Sequence, residues 1–253
     1  ILFIMPRSTR DTPDFFQDSK YGELWVGRRY TTEDAAARYQ IETRSVSDLT
    51  KFLEDKKPAV TIRGEDPKID KLIAENEKDA ELLIFTSEQR LIKEQYEIDQ
   101  LQLAVDATAR GFDDMIKVLP KAVAHERGER VVEGAFYARA RAEGNDLGYN
   151  TIAAAGSHAC VLHWVRNDGR VKNGELMLID AGIEMDSYYT ADITRTIPIN
   201  GKFTPAQRKI YTLVYEAQKA GMNAVKPGAK FRDFHHAAMR VIAQGLEEMG
   251  VLP

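Results

Sequence analysis

Two aspartates twelve positions apart are the residues of this chain whose type and spacing best suit chemistry: Asp180 in Leu-Met-Leu-Ile-Asp-Ala-Gly and Asp192 in Tyr-Thr-Ala-Asp-Ile-Thr-Arg-Thr. Leu176 to Ile179 and Ile193 to Ile197 flank them with β-branched and apolar residues, the composition of strands. Glu184 to Ser187 reads as a turn, so the two stretches are expected to form a hairpin. The midpoint of the pair is Asp186, which would set Asp180 and Asp192 opposite each other. Side chains so opposed have Cβ atoms about 5 Å apart. Two carboxylates at that distance repel, and burying them without partners is costly. A shared proton, an arginine or a cation must compensate. Closely spaced carboxylates suit hard divalent ions such as Mn²⁺ or Mg²⁺, and two-metal hydrolases bridge ions about 3.5–4 Å apart. Against this stand two plainer readings, in which Asp180 begins a turn before Ala-Gly and Asp192 pairs with Arg195.

The other candidate groups are weaker. His163, in Val161-Leu-His-Trp-Val165, reads as a strand histidine: either a hydrogen-bonded core residue, or a proton shuttle or electrophilic group beside a carbonyl. His235 and His236 are adjacent in a helical stretch and so do not share a face. No H-E-x-x-H occurs. His125 reads as a solvated loop histidine, and His158 follows Gly-Ser without an assigned role. Cys160 lacks a partner histidine at a telling position, and Ser157 is not in a G-x-S-x-G elbow. Gly144, Gly148 and Gly156 match no phosphate-binding loop.

Around these residues the elements fall into two regions. The first ~85 residues alternate short apolar runs with helical patterns, which suggests an α/β layer with a partly parallel sheet. Strands are expected at Leu2 to Ile4, Leu24 to Val26, Val60 to Ile62 and Leu82 to Phe85. Helices are expected at Thr32 to Tyr39, Val46 to Leu53 (with Ser47 as cap) and Ile69 to Glu77. A charged helix from Ser87 to about Asp106 follows, then one from Ala107 to Leu119 ended by Pro120, and one over Glu129 to Ala142. Beyond Leu147 come strands at Thr151–Ala155, Val161–Val165, Glu175–Ile183 and Tyr188–Pro198. Two long helices close the chain. The first is capped by Thr204 with Pro205 at its first position and buries Ile210, Leu213, Val214 and Ala217. The second runs from Phe231 to Met249 with Gly250 as stop. Helices on both sides of an antiparallel sheet make this region α+β.

The 253 residues are 43% hydrophobic and 29% charged, in keeping with a globular protein. A net charge of −4 without a basic, aromatic-studded stripe argues against nucleic-acid binding. Cys160, the lone cysteine, excludes an internal disulfide and is compatible with a reducing compartment. No apolar run approaches the ~20 residues of a membrane span, and Ile1 to Met5 is too short for a signal core. A cytoplasmic protein is the expectation. The chain starts at Ile1 and stops at Pro253 directly after a helix, so it reads as part of a longer polypeptide.

Several motifs together resemble aminopeptidase P, the Xaa-Pro aminopeptidase family: Tyr149-Asn-Thr-Ile152, Leu162-His163, Leu178-Ile-Asp-Ala-Gly182, Ala191-Asp-Ile-Thr-Arg-Thr196, Asn200-Gly-Lys-Phe203 and Val225-Lys-Pro-Gly228. The resemblance implies a partial creatinase-like α/β N-terminal domain over 1–86, followed by the first part of an α+β pita-bread metallohydrolase domain over 87–253. It implies two divalent ions, most often manganese, with Asp180 holding one, Asp192 bridging both, and Thr194 supporting Asp192. His163 matches the histidine beside the scissile bond. The implied reaction is release of the N-terminal residue from peptides with proline second, by a hydroxide that the two ions activate. A homo-oligomer is also implied. The family's other ligands, one histidine and two glutamates, match nothing in this chain, so the isolated 253-residue polypeptide is expected to be inactive. Two alternatives share the scaffold. An Xaa-Pro dipeptidase would favour Gly-Pro over Arg-Pro-Pro, and a non-catalytic binding protein would bind less than one equivalent of activating Mn²⁺.

Overall fold

The computed structural model describes residues 1–56 and 59–252. Pro253, read above as following the last helix, lies outside the described residues. The chain forms two compact units, Ile1–Ile92 and Lys93–Pro253.

In the first unit, β1 (Leu2–Ile4) and β2 (Thr43–Ser45) pair in parallel. Around them lie α1 (Pro13–Gln17), α2 (Glu23–Val26), α3 (Thr32–Tyr39), α4 (Leu49–Asp55), α5 (Pro67–Leu72) and α6 (Asp79–Glu88). Helix α3 has the expected span, and Thr31 and Asp34 close a capping box at its start. Three expected strands are absent among the described residues. Leu24 to Val26 lies in α2, a single turn fixed from its other face: the buried Glu23 accepts from Ser8 N–H at 2.8 Å and from Arg7 at 3.3 Å. Leu82 to Phe85 lies in α6. Runs this short do not distinguish strand from helix, and side-chain anchoring decides them. Val60 to Ile62 has no ladder, and the Thr61 N–H goes instead to Asp79 Oδ1 at 3.0 Å. Ser45 rather than Ser47 caps the turn at Val46–Asp48 that leads into α4. The helix expected at Ile69 to Glu77 instead begins at Pro67 as α5 and stops at Leu72.

The second unit opens with α7 (Gln95–Val123) and α8 (Gly128–Glu143). Where two helices broken at Pro120 are expected, α7 runs on through that proline. Ala104, Thr108, Gly111, Met115, Leu119 and Ala122 form one continuous buried stripe, and its packing outweighs the hydrogen bond lost so near the helix end. A methyl at Gly111 would meet the Phe136 ring of α8 at 2.5 Å, so glycine lets the two helices close.

The sheet comprises β4 (Ile152–Ala155), β5 (Leu176–Ala181) and β7 (Ile193–Pro198), antiparallel in that order, while β3 (Asp146–Leu147) pairs with β6 (Ile183–Glu184). Met177, Ile179 and Ala181 point from β5 into a core with Phe112, Met115, Val132 and Phe136. Period-two alternation therefore puts Asp180 on the opposite face. Helices α9 (Pro205–Ala224) and α10 (Phe231–Glu248) pack on each other. Thr204 and Gln207 cap α9 reciprocally, and Gly250 takes φ 67° after α10. The buried stripe of α9 is narrower than expected. Gly245 of α10 meets Leu213 and Ala217 is buried, whereas Ile210 and Val214 are exposed because α10 covers only one side of α9.

Candidate metal centre

The hairpin forms, two residues out of the expected register, so both aspartates keep the same face. Asp180 pairs with Thr194, two positions beyond Asp192. The tip is centred on Ser187 rather than Asp186: Met185 N–H donates to Tyr189 O at 2.9 Å, and Tyr188 N–H to Met185 O at 2.8 Å. Tyr188 accepts a left-handed φ of 65° there. Asp180 and Asp192 are therefore diagonal neighbours, and the direct partner of Asp180 is a hydroxyl. Thr194 Oγ1 donates to Asp180 Oδ2 at 2.6 Å. Thr194 was expected to support Asp192; the geometry has it orient Asp180.

Asp192 is oriented by Tyr149, whose phenol donates to its Oδ1 at 2.9 Å. Burial pushes the Tyr149 phenol far above its ordinary pKa, helped by its hydrogen bonds to Asp180 and then Asp192. One phenol thus meets both carboxylates. It is held there because β3 pairs with β6 and Gly148 N–H donates to Gly182 O at 2.8 Å. In the motif Tyr149-Asn-Thr-Ile152 nothing local marks this role, because Asp192 is 43 residues away.

Gly182 explains the Asp-Ala-Gly motif. A Cβ there would lie 1.6 Å from the Ala191 carbonyl oxygen, so any side chain would push the two aspartate segments apart. Arg195 donates to the Thr194 carbonyl at 2.7 Å instead of pairing with Asp192. Asp180 does not begin a turn; it sits inside β5.

The donor set is all oxygen and anionic, oriented by two hydroxyls, with no protein cation paired to it among the described residues. That chemistry fits part of a hard-cation site. It is not a complete one, since among the described residues no group of three or more His, Cys, Asp or Glu comes together to hold a metal.

His163 is placed differently from its expected strand. Val161 to Val165 forms no ladder; Val161, Leu162 and Val165 are exposed, and only Trp164 turns inward. The segment is tied down by side-chain bonds, described below, and not by a sheet edge. His163 is exposed, and no hydrogen bond or ion pair joins its side chain to Asp180 or Asp192 among the described residues. His235 and His236 lie in α10, their rings 5.6 Å apart, and Cys160 is exposed.

An α/β unit and an α+β unit whose antiparallel hairpin carries an oriented aspartate pair fit the scaffold of a metallohydrolase. Comparison with known proteins is specific on this point. Residues 99–251 match the model of metallopeptidase family M24, and the chain belongs to that family. It is 50% identical over 255 residues to Xaa-Pro aminopeptidase 1 of Streptomyces coelicolor, covering 99% of this chain and 51% of that protein. It is 34% identical over 239 residues to the Xaa-Pro aminopeptidase of Haemophilus influenzae, covering 91% and 55%. Among solved structures, Pseudomonas aeruginosa aminopeptidase PepP superposes with a TM-score of 0.75 at 30% identity, over 91% of this chain and 56% of that one. An Escherichia coli aminopeptidase P variant in complex with substrate gives 0.76 at 27%, over 99% and 58%. The architecture is the creatinase-like and pita-bread arrangement of these structures. The chain spans about half the length of the curated relatives it matches.

Proposed function

We propose that this chain serves a metal-dependent Xaa-Pro aminopeptidase, with residues 1–86 in its N-terminal domain and 87–253 in the first part of its catalytic domain. The observation that carries the reading is the Asp180–Thr194 and Asp192–Tyr149 cluster, found in a chain 50% identical to a protein named for that activity. Asp180 and Asp192 would hold the ions, of which manganese is the expected choice, together with ligands from elsewhere in the polypeptide. When bound, two such ions supply a Lewis acid for the peptide carbonyl and a water nucleophile of lowered pKa.

The chain's own residues prepare that chemistry. Thr194 holds one oxygen of Asp180 and Tyr149 one oxygen of Asp192. These partners hold the ligand rotamers and so reduce the ordering that ion binding demands. Tyr149, protonated through the ordinary pH range, donates to Asp192 throughout it. His163, on its exposed loop, would donate to the carbonyl or its developing charge beside the scissile Xaa-Pro bond.

The substrates are peptides with a free amino terminus and proline second. No helix among the described residues is long and apolar enough to cross a membrane. The lone cysteine supports a cytoplasmic location, and a homo-oligomer follows from the family resemblance. The test is hydrolysis by the full-length gene product with Mn²⁺. Arg-Pro-Pro should lose its arginine, and chelation should abolish this. Cleavage of Gly-Pro but not Arg-Pro-Pro would replace the reading by a dipeptidase. Failure to cleave either, with less than one Mn²⁺ bound, would replace it by a binding protein. Sedimentation of the same preparation reads the oligomeric state.

A further inference from the structure

Glu129, on the first turn of α8, is fully buried, and the aspartate cluster does not use it. Four donors converge on its carboxylate. Oε1 meets Ala155 N–H at 2.8 Å and His158 Nδ1 at 2.8 Å, and Oε2 meets Trp164 Nε1–H at 2.9 Å and Gly169 N–H at 2.7 Å. The link to Gly169 is reciprocal, since the Glu129 N–H donates to the Gly169 carbonyl at 3.2 Å. A side chain at Gly169 would strike both the His158 ring and the Glu129 carboxyl carbon, at 2.6 and 2.8 Å. All of these donors except Ala155 lie on the segment 156–169, which contains His163.

That segment has little else to fix it. It begins with a 3-10 turn at Gly156–Cys160, makes no ladder, and exposes Leu162 and His163. Its inward residue, Trp164, stacks on His158 with centroids 3.9 Å apart and carries the Arg166 guanidinium over its ring at 4.2 Å. Asn167, also buried, gives a second tie: its Oδ1 accepts from Ala153 N–H at 3.0 Å, and its Nδ2 donates to Thr151 O at 2.8 Å. Both ties end on or beside β4, the strand that pairs Ile152 with Asp180.

We propose that Glu129 is the positioning residue for His163: its carboxylate clamps the 156–169 loop to the strand that borders Asp180, and so sets where the imidazole stands relative to the aspartate pair. The proposal rests on the role given to His163 in the functional reading above. The clamp needs two acceptor oxygens, each taking two donors. Glutamine supplies one such oxygen and turns an NH₂ toward two N–H donors, so E129Q breaks half of it while keeping the volume. W164F removes one bond and keeps the ring stack, which provides a variant that folds if E129Q does not.

The experiment uses the full-length gene product with Mn²⁺. Kinetics on Arg-Pro-Pro are measured for E129Q, W164F, H163A and the double variants, with amide hydrogen exchange followed in each. E129Q is expected to speed exchange across 156–169 while leaving exchange elsewhere and Mn²⁺ binding unchanged. It should lower kcat by about 10- to 100-fold, the usual effect of losing a group that orients a functional side chain. W164F should act in the same direction and less. In the H163A background both effects should shrink to within about twofold, because Glu129 acts through that histidine. Equal losses with and without His163 would overturn the proposal and leave Glu129 a purely structural residue. Unchanged loop exchange in both E129Q and W164F would also overturn it, whatever the activity. A wild type that cleaves no Xaa-Pro peptide sinks the functional reading instead; the clamp is then judged by loop exchange and the His163 imidazole resonances.

Discussion

The Tyr149 hydroxyl faces both carboxylates of the candidate metal centre, and its proton is held by burial and by its hydrogen bonds to them. A phenol whose folded pKa lies above its unfolded value stabilises the fold fully below the unfolded pKa, about 10. That contribution is lost as pH rises toward the folded value. In metal-free protein, wild type should therefore lose stability more steeply than Tyr149→Phe as pH climbs beyond about 10. Thermal melts across alkaline pH check this. The same substitution should cost about 10- to 100-fold in Mn²⁺ affinity or activity in the full-length protein. No loss in either would mean that Asp192 needs no orienting partner.

At the scale of elements, the hairpin depends on a single close approach. Gly182 lies against the Ala191 carbonyl, and a methyl at 1.6 Å cannot be absorbed by a flexible side chain because the obstacle is backbone. Gly182→Ala should shift or split the β5–β7 register. Because a one-residue slip reverses every side chain, it would move Asp180 off the functional face. Activity and Mn²⁺ binding should both fall below detection, and exchange should rise along Leu176–Ala181 and Ile193–Pro198. The hairpin and its aspartates were legible in the sequence because alternation and β-branching are local signals. Register was not, since it hangs on the left-handed Tyr188 at the tip. Tyr149 and Glu129 escaped for a different reason: their partners lie 43 residues away in one case and 26 to 40 in the other. Only the folded sheet brings such residues together. Leu24 to Val26 and Leu82 to Phe85 were misread because a run that short is decided by what anchors its neighbours. For α6 that anchor is Asp79, held by Arg63 at 2.7 Å and by two backbone N–H groups. The Arg63 hydrogen bond keeps the Asp79 carboxyl below its ordinary pKa. Its contribution is therefore present above the ordinary carboxylate value and lost as pH falls through the folded one. Protection against hydrogen exchange around Thr61 and in α6 should fall on acidification, and Arg63→Ala should produce the same loosening at neutral pH.

At the scale of the whole molecule, the core of the second unit and its site have different requirements. The core is built around Phe136, fully buried against Phe112, and Phe136→Ala should cost about 3–5 kcal/mol, visible as a large drop in melting temperature. The site is not complete in the same sense. Asp180 and Asp192 supply two carboxylates, and no third metal-ligating side chain joins them among the described residues. Two monodentate or bridging carboxylates leave most of the six coordination positions of a hard divalent ion to water, so binding by the 253-residue chain should be weak. A purified polypeptide of residues 1–253 should fold cooperatively in the second unit, bind Mn²⁺ with at best millimolar affinity and leave Arg-Pro-Pro intact. The full-length gene product should bind Mn²⁺ tightly and cleave the same peptide. Calorimetric Mn²⁺ titration and product analysis on both proteins make the comparison. Within the short chain, Asp192→Asn should raise the melting temperature slightly, because it relieves repulsion that no ion offsets; in the full-length protein the same change should abolish cleavage. Tight Mn²⁺ binding or Arg-Pro-Pro hydrolysis by residues 1–253 alone would show that the aspartate pair recruits its remaining ligands within this segment.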